Sequence, residues 1–192
     1  MAPIATGICW GVTIVVWIAG AVYGARTAPG LRQGPSREVL WRVGAIAAAA
    51  LLYHVARHDL HEATDRSRWI EIPGLVLLVA STAFTIWARL ALGRMWSATP
   101  NMLRAGHRLR TDGPYGITRH PIYTGLLGML LGTVLLNGLG VVLVALVVGI
   151  AVVATRIPTE EALMTRTFPD EYPSYRERVP RLVPGLNLLR RF

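Results

Sequence analysis

An unbroken stretch of 34 residues, 122–155, carries no charged side chain, and a second of 20, residues 4–23, is equally free of charge. A helix crossing the hydrocarbon core of a bilayer needs roughly 20 predominantly apolar residues. A soluble domain of 192 residues has no interior large enough to hide both runs. The chain therefore reads as an all-α integral membrane protein. The longer run exceeds one ordinary span and is interrupted only by Asn137-Gly138, with Gly140 close behind. Asn-Gly is a turn signal, so the run predicts a tight hairpin of two short helices, 121–136 and 139–156.

Two further spans are expected upstream. Residues 39–56 form a weaker one, because Arg42 lies a turn inside it and must snorkel or find a partner. Residues 72–88 form another, opening at Pro73, a favoured first-turn position. The count is five transmembrane helices, the last two being the hairpin. Loop charge agrees with that count. The segments around Arg26–Arg37 and 89–120 are strongly basic, residues 57–68 are near neutral, and the tail after 156 is arginine-rich. The positive-inside rule then puts the N-terminus outside and the C-terminus in the cytoplasm. Residues 1–4 carry no positive charge, so the first span is expected to be retained rather than cleaved as a signal peptide. One membrane domain is expected, with three N-terminal helices in 1–92 and a catalytic half in 93–192. The abundance of arginine and alanine suggests a bacterial inner or plasma membrane.

Net charge is +9 and the pI about 10.9, with arginine supplying every basic side chain and lysine absent. The arginines flank the apolar runs, which is a topology pattern rather than a nucleic-acid footprint, so no nucleic-acid partner is expected. A single cysteine, Cys9, excludes a disulfide framework. His107 and His120 have no Cys or carboxylate at familiar ligand spacing, and no metal is expected. No Gly-x-Gly-x-x-Gly, nucleophile elbow or P-loop is present.

Chemistry-bearing residues cluster in three places expected to share the cytoplasmic side. The first holds His107, Leu109 and the turn Gly113-Pro114-Tyr115-Gly116. The second is Arg119-His120-Pro121-Ile122-Tyr123. Pro121 suits the start of a helix, where free amides and a partial positive charge favour a carboxylate or phosphate; the same step also serves as an ordinary membrane-entry boundary with interfacial Arg, His and Tyr. The third begins at Arg156 and Glu160-Glu161. Arg156 and Glu160 share a face and can pair if the helix runs past Pro158, which can equally end or kink it. A hairpin joins the second and third clusters by returning its end to its start. Tyr115, Tyr123, Tyr172 and Tyr175 offer aromatic faces to a cationic ligand.

These stretches resemble the isoprenylcysteine carboxyl methyltransferase family and its relatives among phospholipid methyltransferases. The matching residues are His107-Arg108-Leu109, Thr111-Asp112-Gly113-Pro114-Tyr115, Arg119-His120-Pro121-Ile122-Tyr123-Thr124-Gly125 and Glu160-Glu161-Ala162-Leu163. They continue through Phe168-Pro169-Asp170-Glu171-Tyr172-Pro173-Ser174-Tyr175-Arg176-Glu177-Arg178-Val179-Pro180. Together they cover about half the chain; the first three spans match only in character. Pro169 departs from the family, where glycine is common. The resemblance implies a pocket for S-adenosylmethionine, cupped by the cytoplasmic tail, with His107, Leu109, Gly113, Pro114, Tyr115, Arg119, His120, Pro121, Tyr123 and Glu161 as cofactor-binding residues. Arg156 and Glu160 would be catalytic, Arg156 anchoring an anionic acceptor and Glu160 accepting a proton from a thiol or amine. The partner implied is a lipophilic or lipid substrate entering from the bilayer. Two other readings of the same residues are an NADPH-dependent membrane reductase of sterol-reductase type and a non-enzymatic protein whose arginines grip lipid headgroups.

Overall fold

The computed structural model describes residues 2–27, 68–93, 109–138 and 141–185. The expected second span at 39–56, the loop before it, the near-neutral loop 57–67 and His107 lie outside the described residues. All regular structure among those described is helical: α1 Ala2–Thr27, α2 Arg68–Leu92, α3 Pro114–Ile117, α4 Pro121–Asn137, α5 Val141–Thr167 and α6 Tyr172–Arg178. Three of these helices contain segments long and apolar enough to cross a membrane, Ala2–Gly20, Arg68–Leu92 and Val142–Thr167, while Pro121–Asn137 is apolar but shorter. Among the described residues the span-length helices are therefore three, against the five expected.

Two helices depart from the expected boundaries. The third expected span starts at Arg68, so Pro73 sits inside α2 rather than in its first turn. The proline removes one amide donor near the start of the helix, where few carbonyls precede it. The last helix does not end near Arg156; α5 runs on through Pro158 to Thr167. Nearby threonine hydroxyls bond to the backbone, Thr155 Oγ1 to the Val152 carbonyl at 2.9 Å and Thr165 Oγ1 to the Glu161 carbonyl at 2.8 Å. The continuation also buries Ile157 and Glu161, and that packing outweighs one lost bond.

The chain divides into two compact units, Met1–Leu78 with Leu130–Val148 and Val79–Met129 with Gly149–Phe192. In the first, α1 is tied to the end of α4 by polar contacts in an apolar setting. The Trp10 indole donates to Thr133 Oγ1 at 3.1 Å, and the Asn137 amide donates to Thr6 Oγ1 at 3.1 Å. Asn137 thus serves the packing as well as the turn, which Gly138 completes at φ 90°. Glycine lets α2 and α4 touch backbone to backbone here: a Cβ on Gly132 would lie 2.7 Å from the Leu78 nitrogen and 2.9 Å from the Gly74 carbonyl oxygen. Close approach of this kind drives helix association where lipid removes the hydrophobic gradient.

In the second unit the same device recurs. A Cβ on Gly125 would overlap the Thr85 hydroxyl, with the Ser81 carbonyl oxygen at 3.1 Å. Thr85 is wholly buried and donates to the Ser81 carbonyl at 2.7 Å, so its hydroxyl is satisfied within its own helix. In the same unit, Tyr172, Tyr175 and Val179 form a small core against Leu109, Met164 and Phe168. That core holds α6 and the chain after it on the rest of the unit.

Candidate active site

The site lies within the second unit, where the start of α4 meets the charged continuation of α5. Gly113 turns the chain at φ 57°, a conformation L side chains rarely adopt, and its missing Cβ faces Trp87 at 3.5 Å. Pro114 then opens the four-residue α3, which places Tyr115 in the interior. The Tyr175 phenol donates to the Tyr115 carbonyl at 2.7 Å, binding α6 to α3.

The segment between α3 and α4 is held by the tail. The Arg119 amide donates to the Pro180 carbonyl at 2.8 Å and the His120 amide to the Arg181 carbonyl at 3.2 Å, while Thr124 Oγ1 donates to the Leu182 carbonyl at 2.7 Å. Two backbone donors beside the start of α4 are thus taken by protein. Within the first turn of α4, Pro121 has no amide donor, and Ile122 and Tyr123 have no helical carbonyl four residues back.

Four side chains then converge on Glu160 and Glu161. Glu161 is 6% exposed at its side chain and meets Arg119 at 3.0 Å, His120 Nε2 at 3.3 Å and Arg181, which bridges both carboxylate oxygens at 3.2 and 2.8 Å. Glu160 is the more open of the two, at 23%. It accepts from the Tyr123 phenol at 2.5 Å and faces His120 Nδ1 at 3.5 Å. His120 therefore stands between the two carboxylates and stacks on Tyr123, ring centroids 5.9 Å apart. Arg119 also donates to the Arg176 carbonyl, and its Nε, buried, has no hydrogen-bond partner among the described residues.

Electrostatics follow from this packing. Burial alone would lower the pKa of His120, but its hydrogen bonds to Glu160 and Glu161, and their charge, outweigh it and leave the imidazolium favoured above its usual range. Burial, with the negative charge of Glu161 behind it, pushes the Tyr172 phenol up to about 12. Burial likewise raises Tyr115 and Tyr175, so all three phenols stay protonated at physiological pH.

The structure brings together Arg119, His120, Tyr123, Glu160 and Glu161 in one network, with Pro121 opening α4 and Leu109, Gly113, Pro114 and Tyr115 on the adjoining turn and core. Arg156 is half-buried on α5, one turn before Glu160, at a rise of about 6 Å along the axis. Three of the four aromatic faces suggested by sequence are not open: Tyr115, Tyr172 and Tyr175 are 9%, 2% and 3% exposed, the last two packing edge-on against each other. Sequence reasoning missed Arg181 and Thr124. Both contacts span long separations, and the only available signal was the run of arginines in a proline-punctuated tail.

Residues 69–171 match the model of the phospholipid methyltransferase family, "Phospholipid methyltransferase". Protein-S-isoprenylcysteine O-methyltransferase B of Arabidopsis thaliana is 34% identical over 141 residues, covering 72% of this chain and 71% of that protein. Nickel-cobalt-cadmium resistance protein NccN of Alcaligenes xylosoxydans xylosoxydans is 30% identical over 155 residues, covering 79% of this chain and 66% of that protein. The solved structure of the eukaryotic intramembrane Ras methyltransferase ICMT shares the fold with a TM-score of 0.63 at 18% identity, covering 95% of this chain and 68% of that chain. The family match and these relatives make this multi-pass helical membrane protein a membrane methyltransferase. The chain belongs to the phospholipid methyltransferase family and is of the isoprenylcysteine O-methyltransferase kind.

Proposed function

We propose that this protein transfers a methyl group from S-adenosylmethionine to a lipophilic acceptor at the membrane–cytoplasm interface, with its C-terminal tail on the cytoplasmic side. The observation that carries the reading is the Glu160–Glu161 pair, held by Arg119, His120, Tyr123 and Arg181 at the end of an apolar helix. Charge is costly so near lipid and is rarely retained there without a use.

The residues present fit the cofactor. The buried Nε of Arg119, with no partner among the described residues, is a donor in want of an acceptor, and a methionyl carboxylate is such an acceptor. Gly113, at positive φ, keeps a side chain away from the turn beside Trp87. Arg119, His120, Tyr123 and Glu161 would hold the cofactor with Leu109, Gly113, Pro114, Tyr115 and Pro121, and with His107, which lies outside the described residues. Bound there, S-adenosylmethionine supplies a methyl group on a sulfonium, an electrophile that needs no acid catalysis.

The protein's own task is alignment and exclusion of water. Glu160, the more exposed carboxylate of the pair, is the group able to accept a proton from a thiol or amine acceptor. Arg156, one turn earlier on the same helix, would anchor an acceptor that is itself a carboxylate, which needs no base. Tyr123 and His120 orient Glu160 through its two oxygens.

The test is turnover with methyl-labelled S-adenosylmethionine in detergent-purified protein, offering a prenylated cysteine, a phospholipid amine and a lipophilic thiol separately. One of the three should become labelled, and S-adenosylhomocysteine should raise the melting temperature while NADPH does not. Stabilisation by NADPH alone would overturn the reading in favour of a reductase.

A further inference from the structure

Three basic side chains surround the Glu161 carboxylate, and they differ in origin. Arg119 and His120 come from the segment entering α4, with side chains 7% and 9% exposed. Arg181 comes from the tail and is 49% exposed. Arg181 is nonetheless the group that touches both oxygens, through Nε at 3.2 Å and a terminal nitrogen at 2.8 Å. A guanidinium fork on a carboxylate fixes direction as well as charge. Its backbone carbonyl meanwhile accepts from the His120 amide at 3.2 Å, so one residue holds both partners of the His120–Glu161 contact.

Resting on the methyltransferase reading, we propose that Arg181 is a positioning residue: from the tail it clamps Glu161 so that this carboxylate stays committed to Arg119 and His120, leaving Glu160 to serve the reacting groups. Without the clamp, Glu161 can rotate, and His120 is shared differently between the two carboxylates. The charge balance shows why. Glu160 and Glu161 carry two negative charges, and Arg119 and Arg181 supply two positive ones before His120 is counted. Removing Arg181 leaves the pair short of one cation, and His120 then holds its proton to higher pH. The other groups bearing on this centre are the Tyr123 phenol on α4, Tyr172 and Arg176 on α6, Tyr115 on α3, and Arg156 on α5.

The experiment compares wild type, Arg181→Gln and Arg181→Lys in detergent, using methyl transfer, S-adenosylhomocysteine binding and the NMR titration of the His120 imidazole, assigned with His120→Gln. In Arg181→Gln, kcat should fall about tenfold, short of the roughly 10²–10⁴-fold carried by a general acid–base group itself, and the His120 midpoint should rise. In Arg181→Lys the midpoint should return to the wild-type value while kcat recovers only in part, because an ammonium is a point charge and cannot hold both oxygens. A folded Arg181→Gln protein with wild-type kcat or an unmoved midpoint overturns the proposal, as does full recovery of kcat in Arg181→Lys. Should Arg181→Gln fail to fold, the kcat of Arg181→Lys decides alone. The His120 titration needs no turnover, so failure of the clamp is distinguishable from failure of the methyltransferase reading, which wild-type protein lacking both binding and transfer would reveal.

Discussion

Replacing Gly132 with alanine tests the close approach of α2 and α4. The added Cβ would lie 2.7 Å from the Leu78 nitrogen, 2.9 Å from the Gly74 carbonyl oxygen and 2.9 Å from the Leu78 Cα. All three are backbone atoms, so no rotamer change relieves the overlap. Ordinary contact begins near 3.4 Å, and α2 must therefore move several tenths of an ångström from α4 at that point. Overpacking of this kind costs about 1–3 kcal/mol. Alanine recovers up to about 1 kcal/mol through its better helix propensity, leaving a net loss of roughly 0–2 kcal/mol. Gly11→Ala is the matched control, since no described residue lies within 4 Å of its Cβ, and it should gain the propensity term alone. The assay is thermal unfolding of both variants in one detergent. Gly132→Ala should melt below Gly11→Ala by an amount matching about 1–3 kcal/mol, or roughly 2–12 °C for a chain of this size. Equal melting temperatures would refute the close approach of the two helices.

Three further outcomes are expected. Glu161→Gln removes the buried carboxylate from Arg119 and leaves that guanidinium without its counter-charge, a loss of about 3–5 kcal/mol for breaking a buried pair; poor recovery of folded protein after detergent extraction is the readout, and wild-type stability would contradict it. Because the folded pKa of His120 is raised, its proton contributes stability fully below about pH 6.5, the unfolded value, and that contribution is lost as pH rises through the higher folded value. Melting temperature should therefore decline on the alkaline side of about 6.5, and His120→Gln should flatten that decline. Tyr175→Phe deletes the 2.7 Å bond to the Tyr115 carbonyl and should cost about 1–3 kcal/mol, the penalty for an acceptor left unsatisfied in a buried site, measured by denaturation of purified protein.

The membrane class and the positions of the apolar helices were legible because lipid demands long uncharged runs. The turn at Asn137-Gly138 was legible because an L residue seldom takes the φ of 90° that Gly138 adopts. The meeting of Arg119, His120 and Tyr123 with Glu160 and Glu161 was also legible, since a helical hairpin returns its end to its start. What escaped depends on tertiary packing. Whether Pro158 ends α5 is undecidable locally, because it hinges on the burial of Glu161 beyond it. Arg181 is one of several tail arginines, and only the fold, through backbone bonds from Arg119 and His120 to Pro180 and Arg181, sets it against Glu161. Tyr172 and Tyr175 looked like ligand faces because an interfacial tyrosine and a core tyrosine have the same sequence signature.

Equilibrium binding of S-adenosylhomocysteine to the purified protein, with Arg119→Gln measured beside it, tests the central claim most directly. Saturable binding by the wild type and a loss of at least about tenfold in affinity on removing the guanidinium are the predicted results. Absence of binding by a folded wild-type protein, or equal affinity in the two proteins, would contradict the assignment of this charged network to the cofactor.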